Sequence, residues 1–188
     1  QRIFAANGLV VVDVQELPTH GGSLRVFAAR ADATAHPQAT PEGAARVAQL
    51  LATEAAAGLL GEGFYSDFHP QALRIKRELL SFLLQCQADG LTVGAYGAAA
   101  KGNTLLNFAG VRPDLLPYVV DKNPAKQGQY LPGSRIPIVD EAHLRAHRPD
   151  RVLILPWNLR DEVAGQLGYV REWGGKLVVA IPQLEVLE

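Results

Sequence analysis

The sequence predicts an α/β fold: a Rossmann-like parallel sheet with flanking helices, preceded by a separate strand pair. Short apolar segments alternate with helical patterns through the back half of the chain, as they do in parallel βαβ units. The first of these segments runs into a glycine-rich turn, residues 94–102, where a Rossmann sheet passes into a helix. Two extended stretches at 9–16 and 23–29 predict the strand pair.

The two extended stretches at the front of the chain are rich in Val and are joined by residues 17–22. They predict either a hairpin or a crossover between neighbouring strands. A two-stranded unit is marginal in water by itself, and the residues before it, which end in Asn7-Gly8, resemble the end of a helix without its beginning. We therefore expect the chain to be part of a longer protein, with residues 1–31 as the tail of an upstream domain.

A stretch of small and polar residues, 31–40, has the composition of a linker, and Pro41 then opens a predicted helix. Glycines between 58 and 63 end this helix, and a second helical pattern of apolar residues follows at 65–87. We therefore place the domain boundary in the linker. The second predicted domain comprises residues 41–188 and begins with these two helices.

The remaining segments predict the sheet strand by strand. The predicted strands are 91–96, 116–121, 136–138, 151–155 and 176–181. The predicted helices between them are 101–109, 140–147 and 159–173. This succession predicts parallel pairing of the strands, with helices on both faces of the sheet.

Composition and charge restrict the partners. The 18 basic and 19 acidic side chains nearly cancel and form no cationic run, which argues against nucleic acid or a membrane surface as a partner. Cys86 is the only cysteine, so the chain forms neither an internal disulfide nor a cysteine-based metal site. No apolar run approaches the roughly 20 residues that span a bilayer, and no secretory pattern is present. We expect a cytoplasmic protein with a small-molecule ligand.

The glycine-rich turn contains Gly94, Gly97 and Gly102, whose missing side chains would let backbone N–H groups approach an anion at the start of the next helix. The spacing matches neither the dinucleotide fingerprint nor the phosphate-loop motif, and close packing of a helix on the sheet is the alternative explanation. Lys101 favours the anion, because the helix dipole destabilises an ammonium in the first turn unless a negative group is present. A solvated surface lysine is the alternative here, and Asn103 would add a donor.

Two further segments end strands at the same edge of the predicted sheet. Asp121 follows the second strand, about 20 residues past the glycine turn, where Rossmann domains bond a ribose hydroxyl. A turn-forming role is the alternative for Asp121. Trp157 and Asn158 follow the fourth strand, at the edge where open α/β sheets bind ligands. Trp157 would cover a base or sugar, or else cap the core, and Asn158 would contact the ligand or cap the next helix.

His20 is the candidate general base, because imidazole titrates near neutrality and the glycines that follow it would let a substrate approach. A structural role in the turn is the alternative. The other histidines lack the spacing of a ligand set: His143 and His147 lie four apart on one predicted helix, but no third ligand is evident. We therefore predict no metal site.

Four sequence motifs bear on the family. They are 19–25 (Thr-His-Gly-Gly-Ser-Leu-Arg), 94–103 (Gly-Ala-Tyr-Gly-Ala-Ala-Ala-Lys-Gly-Asn), 121–128 (Asp-Lys-Asn-Pro-Ala-Lys-Gln-Gly) and 155–158 (Leu-Pro-Trp-Asn). Together, in this order, they resemble the C-terminal region of S-adenosylmethionine-dependent sugar C-methyltransferases. The resemblance covers essentially the whole chain, and four ordered motifs are more specific than any one of them.

The resemblance implies methylation of a ring carbon in a thymidine-diphosphate keto-deoxysugar, by removal of the proton beside the ketone and attack on the methyl group of S-adenosylmethionine. It implies that residues 1–31 are the tail of a methyltransferase domain. The family's zinc cysteines, its S-adenosylmethionine loop and its Glu-His pair would lie upstream of this chain. We therefore expect the chain to hold no cofactor and to have no turnover by itself.

For this chain the resemblance implies a nucleotide-sugar as ligand and the upstream methyltransferase domain as partner. Lys101 or backbone donors would meet the diphosphate, and His20 would lie close to the sugar. The implied substrate-binding residues are Tyr96, Lys101, Gly102, Asn103, Asp121, Lys122, Trp157 and Asn158. Two other functions stay open from the residues themselves: a stand-alone nucleotide-binding Rossmann module and a nicotinamide-dependent sugar oxidoreductase.

Overall fold

A computed structural model describes residues 1–19, 22–33, 35–36 and 39–187 of the chain. The chain forms two compact units, Gln1–Phe68 and His69–Glu188. The division between them falls at the first residue of the second leading helix, later than the linker. The assignment of residues 1–31 to an upstream methyltransferase domain stays a prediction. So does the assignment of residues 41–188 to a C-terminal domain.

The first unit is an antiparallel strand pair accompanied by helices. A short helix, α1 (Arg2–Ala6), precedes strand β1 (Leu9–Leu17), which pairs with β2 (Ser23–Arg30) along its whole length. The antiparallel pairing confirms the hairpin alternative. A 3₁₀ turn at Glu62–Tyr65 lies near the end of the unit.

Helix α2 (Pro41–Ala56) packs against β1. Thr40 caps this helix, because its Oγ1 accepts a hydrogen bond from the Gly43 N–H at 3.0 Å. Arg46 on α2 donates to both carboxylate oxygens of the buried Asp13, at 2.8 Å each. These hydrogen bonds hold the pKa of Asp13 below its usual value. The bidentate pair fixes α2 on the strands.

The second unit is a six-stranded sheet with helices on both faces. Its strands are β3 (Val93–Tyr96), β4 (Val119–Val120), β5 (Ile138–Val139), β6 (Arg151–Ile154), β7 (Lys176–Val179) and β8 (Glu185–Leu187). Its helices are α3 (Phe68–Ala88), α4 (Ala100–Ala109), α5 (Glu141–His147) and α6 (Arg160–Gln166). The strand order is β5-β4-β3-β6-β7-β8, and all pairings are parallel except that of β7 with β8. In order of appearance this is 3-2-1-4-5-6, the Rossmann order, which confirms the predicted fold.

Two apolar cores lie on the two faces of this sheet. One core contains Leu106 of α4 together with Ala95 of β3. The other contains Leu144 of α5 and Val163 of α6 together with Tyr96 of β3. Successive residues of β3 thus point to opposite faces, as the pleat requires. The chain leaves β3 over one face, through α4, and leaves β6 over the other face, through α6.

The structure departs from the sequence-based prediction in its last third. The helix predicted over 159–173 is interrupted: α6 ends at Gln166, and 3₁₀ turns occupy Trp157–Leu159 and Gly168–Trp173. Glycine is a poor helix former, and Gly168 stands at the interruption. Strand β8 is absent from the prediction, because its three residues carry no periodic pattern. They become a strand by pairing with the edge of β7.

Candidate functional site

The carboxyl ends of β3 and β6 form the topological switch point of the sheet. The two strands pair in parallel, with Tyr96 beside Ile154. Because the chain continues into α4 on one face and into α6 on the other, the two loops diverge at this point. Ligands of open α/β sheets bind in such a crevice. The predicted site residues of the second unit all lie at or near this edge.

The turn after β3 lies directly against the turn after β6. Gly97 has a φ of +93°, which side chains disfavour, and its N–H donates to Val120 O at 2.7 Å. A Cβ placed on Gly97 would lie 2.5 Å from Pro156 Cδ. Only glycine therefore permits both this backbone conformation and this contact.

Helix α4 begins without a capping side chain. Its N-cap is Ala99, whose side chain has no atom that could accept a hydrogen bond from the first-turn N–H groups. The N–H groups of Ala100, Lys101 and Gly102 open the helix at the carboxyl edge, and the Lys101 side chain is exposed in the same turn. A Cβ on Gly102 would lie 2.6 Å from Leu155 Cβ. Close packing therefore accounts for Gly102, and its contact with a ligand stays a prediction.

Asp121 directs its carboxylate at donors of the chain itself. Its Oδ2 accepts hydrogen bonds from the Ala98 N–H at 2.8 Å and from Lys126 Nζ at 3.1 Å, and its Oδ1 accepts one from the Asn123 N–H at 2.8 Å. Asp121 is only 9% exposed. These bonds confirm the turn-forming alternative, because Asp121 braces both its own loop and the glycine turn. A ribose contact in addition stays a prediction.

Lys126 belongs to this site, although the sequence analysis did not single it out. Its Nζ donates to Ala98 O at 2.9 Å as well as to Asp121. The loop returns towards the sheet at Gly128, whose N–H donates to Ile138 O at 2.9 Å. The sequence does show a lysine five residues after an acid in one predicted loop. A loop has no periodic pattern, however, so the sequence does not indicate that this loop folds back and brings the two side chains together.

Asn103 lies in α4, partly buried, one residue after Gly102. Its Oδ1 accepts a hydrogen bond from Asn107 Nδ2 at 3.1 Å. Asn107 Nδ2 also donates to Pro132 O at 2.9 Å, which ties α4 to the loop before β5. The Nδ2 group of Asn103 is therefore the donor that it could offer to a ligand.

Tyr96 ends β3 on the face covered by α5 and α6. It is 5% exposed and packs in the core of that face. Burial, together with the nearby carboxylates of Glu141, Asp121 and Glu162, raises the pKa of its phenol to about 12. The phenol is therefore uncharged near neutral pH. The ring packs in the core on the α5–α6 face, and its contact with a ligand stays a prediction.

The other predicted residues lie on both sides of the switch point. Lys122 is exposed, and its Nζ donates to Gln166 Oε1 of α6 at 2.8 Å. Trp157 packs, half-buried, against the core beneath α3 and α4, and its contact with a ligand stays a prediction. Asn158 does not cap α6: the N-cap is Leu159, and no side-chain bond is made there. The capping interpretation of Asn158 is therefore wrong. His20, the candidate base, lies outside the described residues.

A second concave region lies at the opposite, amino edge of the sheet. This cavity has a volume of about 500 Å³, and its polar lining includes Thr92, Asp114, Tyr118, His143 and His147. The rings of His143 and His147 stack with their centroids 3.7 Å apart, and Tyr118 meets His143 edge-on at 4.6 Å. The two histidines thus pack with the ring of Tyr118, which also lies against Gly94.

The histidine stack predicts a pH dependence of stability. Burial lowers the pKa of His143 below 6.5, and the neighbouring His147 lowers it further. The unfolded chain therefore binds more protons than the folded chain once the pH falls below about 6.5, so stability rises with pH across this range. We expect the full contribution of His143 above about pH 6.5 and a progressive loss as the pH falls through the lowered value. Urea unfolding at pH 7.5 and pH 5.5 measures this loss of stability.

Tryptophan fluorescence suits this measurement, because both tryptophans, Trp157 and Trp173, lie in the second unit. We expect the variant His143→Gln to flatten the dependence between the two pH values. The exposed His69 supplies the control, and His69→Gln should keep the pH dependence of stability seen in the wild type. An undiminished pH dependence in His143→Gln would show that another group causes it.

The part of the chain that the structure describes has neither a metal-binding cluster nor a membrane-spanning helix. No group of three or more His, Cys, Asp or Glu side chains in the described ranges is close enough to hold a metal ion. None of the helices formed by these residues combines the length and apolarity needed to cross a membrane.

The Rossmann strand order, the glycine turn and the loops gathered at one sheet edge define a Rossmann-like α/β domain with a candidate ligand site, and comparison with known proteins gives its family. The family described as C-methyltransferase C-terminal domain matches residues 18–182, and the chain belongs to it. This confirms the resemblance that the four motifs indicated.

A relative shows the same relationship. The chain is 37% identical over 185 residues to the protein named C-methyltransferase NovU from Streptomyces niveus. The alignment covers 98% of this chain but 43% of the relative. The chain therefore spans less than half the length of that protein.

Proposed function

We propose that this chain is the nucleotide-sugar-binding C-terminal part of an S-adenosylmethionine-dependent C-methyltransferase that acts on a nucleotide-linked keto-deoxysugar. The observation that carries the proposal is the start of α4: first-turn N–H groups without a capping side chain, beside Lys101, at the switch point of a Rossmann-ordered sheet. Membership in the family supports the reaction class, and this site supports a ligand that carries a diphosphate.

The diphosphate would bind at the first turn of α4. Backbone N–H groups and the helix dipole favour an anion there. The ammonium of Lys101 would add its positive charge to that of the helix dipole at the bound anion. Trp157 would offer ring surface to the base or sugar. The amides of Asn103 and Asn158 would serve sugar hydroxyls.

Asp121 argues against a nicotinamide dinucleotide. Dinucleotide-binding Rossmann domains use an acid at this position for the ribose, whereas Asp121 already accepts bonds from Ala98, Asn123 and Lys126. The glycine spacing also differs from the dinucleotide fingerprint. Both features favour the nucleotide-sugar over the oxidoreductase alternative.

In the whole protein, S-adenosylmethionine would supply an activated methyl group. The described residues of this chain do not fit it, because Asp121, the acid placed to bond an adenosine ribose, is engaged with the glycine turn. We therefore assign the methyl donor to an upstream methyltransferase domain. His20 stays the proposed base near the sugar, where it would remove the proton beside the ketone.

The first unit offers a surface to that upstream domain. Leu24 and Val26 lie two residues apart on one face of β2 and are 50% and 43% exposed. Adjacent exposed apolar side chains on a strand are typical of surfaces that another element covers. We propose that the methyltransferase domain packs here.

Calorimetric titration of the 188-residue chain tests the proposed function. The three ligands are thymidine diphosphate, a nicotinamide dinucleotide and S-adenosylmethionine. We expect thymidine diphosphate to bind most tightly, and no methyl transfer from S-adenosylmethionine by the chain alone. Tightest binding of the nicotinamide dinucleotide would favour the oxidoreductase, and equal binding of unrelated nucleotides would favour a stand-alone module.

A charge-removing variant locates the anion. Lys101→Met removes the cation of the first turn, and we expect the dissociation constant for thymidine diphosphate to rise about tenfold. Lys176 begins β7 at the amino edge and is exposed, so Lys176→Met is the matched control and should bind as the wild type does. Unchanged affinity in Lys101→Met would place the diphosphate elsewhere.

A further inference from the structure

Lys126 and Asp121 together hold the backbone of one residue of the glycine turn, Ala98, through the two peptide units on either side of it. Lys126 Nζ donates to Ala98 O at 2.9 Å and to Asp121 Oδ2 at 3.1 Å. The same Oδ2 accepts the Ala98 N–H at 2.8 Å. Both polar backbone groups of Ala98 are therefore held by a single acid–base pair that comes from the loop after β4.

These hydrogen bonds fix the backbone just before the first turn of α4. Ala98 is 8% exposed and directly precedes the N-cap Ala99, whose N–H donates to Gly97 O at 2.8 Å. Ala99 has no side-chain acceptor that could orient the first-turn N–H groups. Their direction therefore depends on how the Ala98 peptide is held.

The pair also decides the charge next to the turn. An unpaired Asp121 carboxylate would repel a diphosphate nearby, and such repulsion is strong at a partly buried site. The Asp121 side chain is 12% exposed and that of Lys126 is 40% exposed. The negative carboxylate is therefore mostly buried, and its positive counterion lies closer to the surface. The ammonium of Lys126 cancels the charge of the carboxylate where an anion would approach.

We propose that Lys126 is a positioning residue of the anion site: it holds the Ala98 peptide and neutralises Asp121, so that the start of α4 accepts the diphosphate of a nucleotide-sugar. The inference rests on the proposed function and adds to it a residue that acts through the turn. It also gives the acid at the end of β4 a role other than ribose recognition.

A charge-repair series tests this role by the dissociation constant for thymidine diphosphate. Lys126→Met leaves the carboxylate unpaired, and we expect binding to weaken about tenfold. Lys126→Arg keeps the charge and should stay within about twofold of the wild type. Lys126→Met combined with Asp121→Asn removes both charges and should recover most of the loss. Thermal melting of each variant separates this recovery of binding from a recovery of stability, because neutralising an unpaired, mostly buried carboxylate also stabilises the fold.

Asp121→Asn alone gives an outcome that misfolding cannot imitate. It keeps the Lys126 cation and one acceptor oxygen, so we expect thymidine diphosphate to bind at least as tightly as it binds to the wild type. Thermal melting shows whether Lys126→Met folds. If it does not, the affinities of Asp121→Asn and of the double variant for thymidine diphosphate test the inference. Lys176→Met is again the control.

Three results would overturn the inference: wild-type affinity in Lys126→Met, a double variant that binds no better than Lys126→Met, or weaker binding by Asp121→Asn. A wild-type chain that does not bind thymidine diphosphate would instead refute the proposed function. The two failures are therefore distinguishable.

Discussion

Replacing Gly97 by Ala is expected to lower the free energy of unfolding of the second unit by about 2–5 kcal/mol. A side chain at its φ of +93° costs about 1–2 kcal/mol. The new Cβ would also lie 2.5 Å from Pro156 Cδ, and because the proline ring cannot rotate away, the two loops must separate at a cost of about 1–3 kcal/mol. Urea unfolding followed by tryptophan fluorescence measures the change.

Gly110 provides the matched control for this prediction. It ends α4 with a φ of +80°, and a Cβ there would meet no atom within 4 Å. Gly110→Ala should therefore show only the conformational cost of about 1–2 kcal/mol. Gly97→Ala should also weaken thymidine diphosphate binding, since it moves the turn that leads into α4, whereas Gly110→Ala should not. Equal effects of the two substitutions would mean that the Pro156 contact gives way easily.

Two helical glycines are expected to respond to Ala in opposite directions. Gly102 lies in α4 with its added Cβ 2.6 Å from Leu155 Cβ, an atom next to the backbone that no rotamer change can move. Overpacking of about 1–3 kcal/mol should outweigh the gain of about 0.5–1 kcal/mol that Ala brings to a helix. We expect Gly102→Ala to be less stable than the wild type in the same urea experiment.

Gly165 lies in α6, and a Cβ there would meet nothing within 4 Å. Gly165→Ala should therefore gain about 0.5–1 kcal/mol of stability from helix propensity alone. The test is whether the two substitutions change the free energy of unfolding in opposite directions. A stabilising effect of Gly102→Ala would show that α4 does not need to approach the end of β6 this closely.

These glycines bear on function because they shape the backbone of the candidate site. Gly97 sets the contact between the loops after β3 and β6, and Gly102 sets the distance from α4 to the sheet. The odd spacing of the turn has a physical explanation in such contacts. Each of its three glycines is placed where a neighbouring side chain leaves no room for a Cβ: Tyr118 at Gly94, Pro156 at Gly97 and Leu155 at Gly102. The anion site is then formed by the backbone at the start of α4.

The sequence by itself determined the strand and helix succession of the second unit and hence its fold class. Apolar period and turn residues are local signals, and parallel βαβ units follow from their order. The sequence also indicated the carboxyl edge, since the glycine turn, Asp121 and Trp157 each follow a predicted strand. Four motifs in order identified the family, which the family match confirms.

Only the tertiary structure decided which groups meet at that edge. Tyr96 and Lys101 lie five residues apart, yet the pleat and the chain path send Tyr96 to the α5–α6 face and Lys101 to the start of α4. Asp121 meets Ala98 and Lys126 because the loop after β4 folds back on the glycine turn. Strand β8 exists because β7 offers it an edge. Local pattern specifies the elements, but hydrogen bonds between segments distant in sequence assign the side chains to one another.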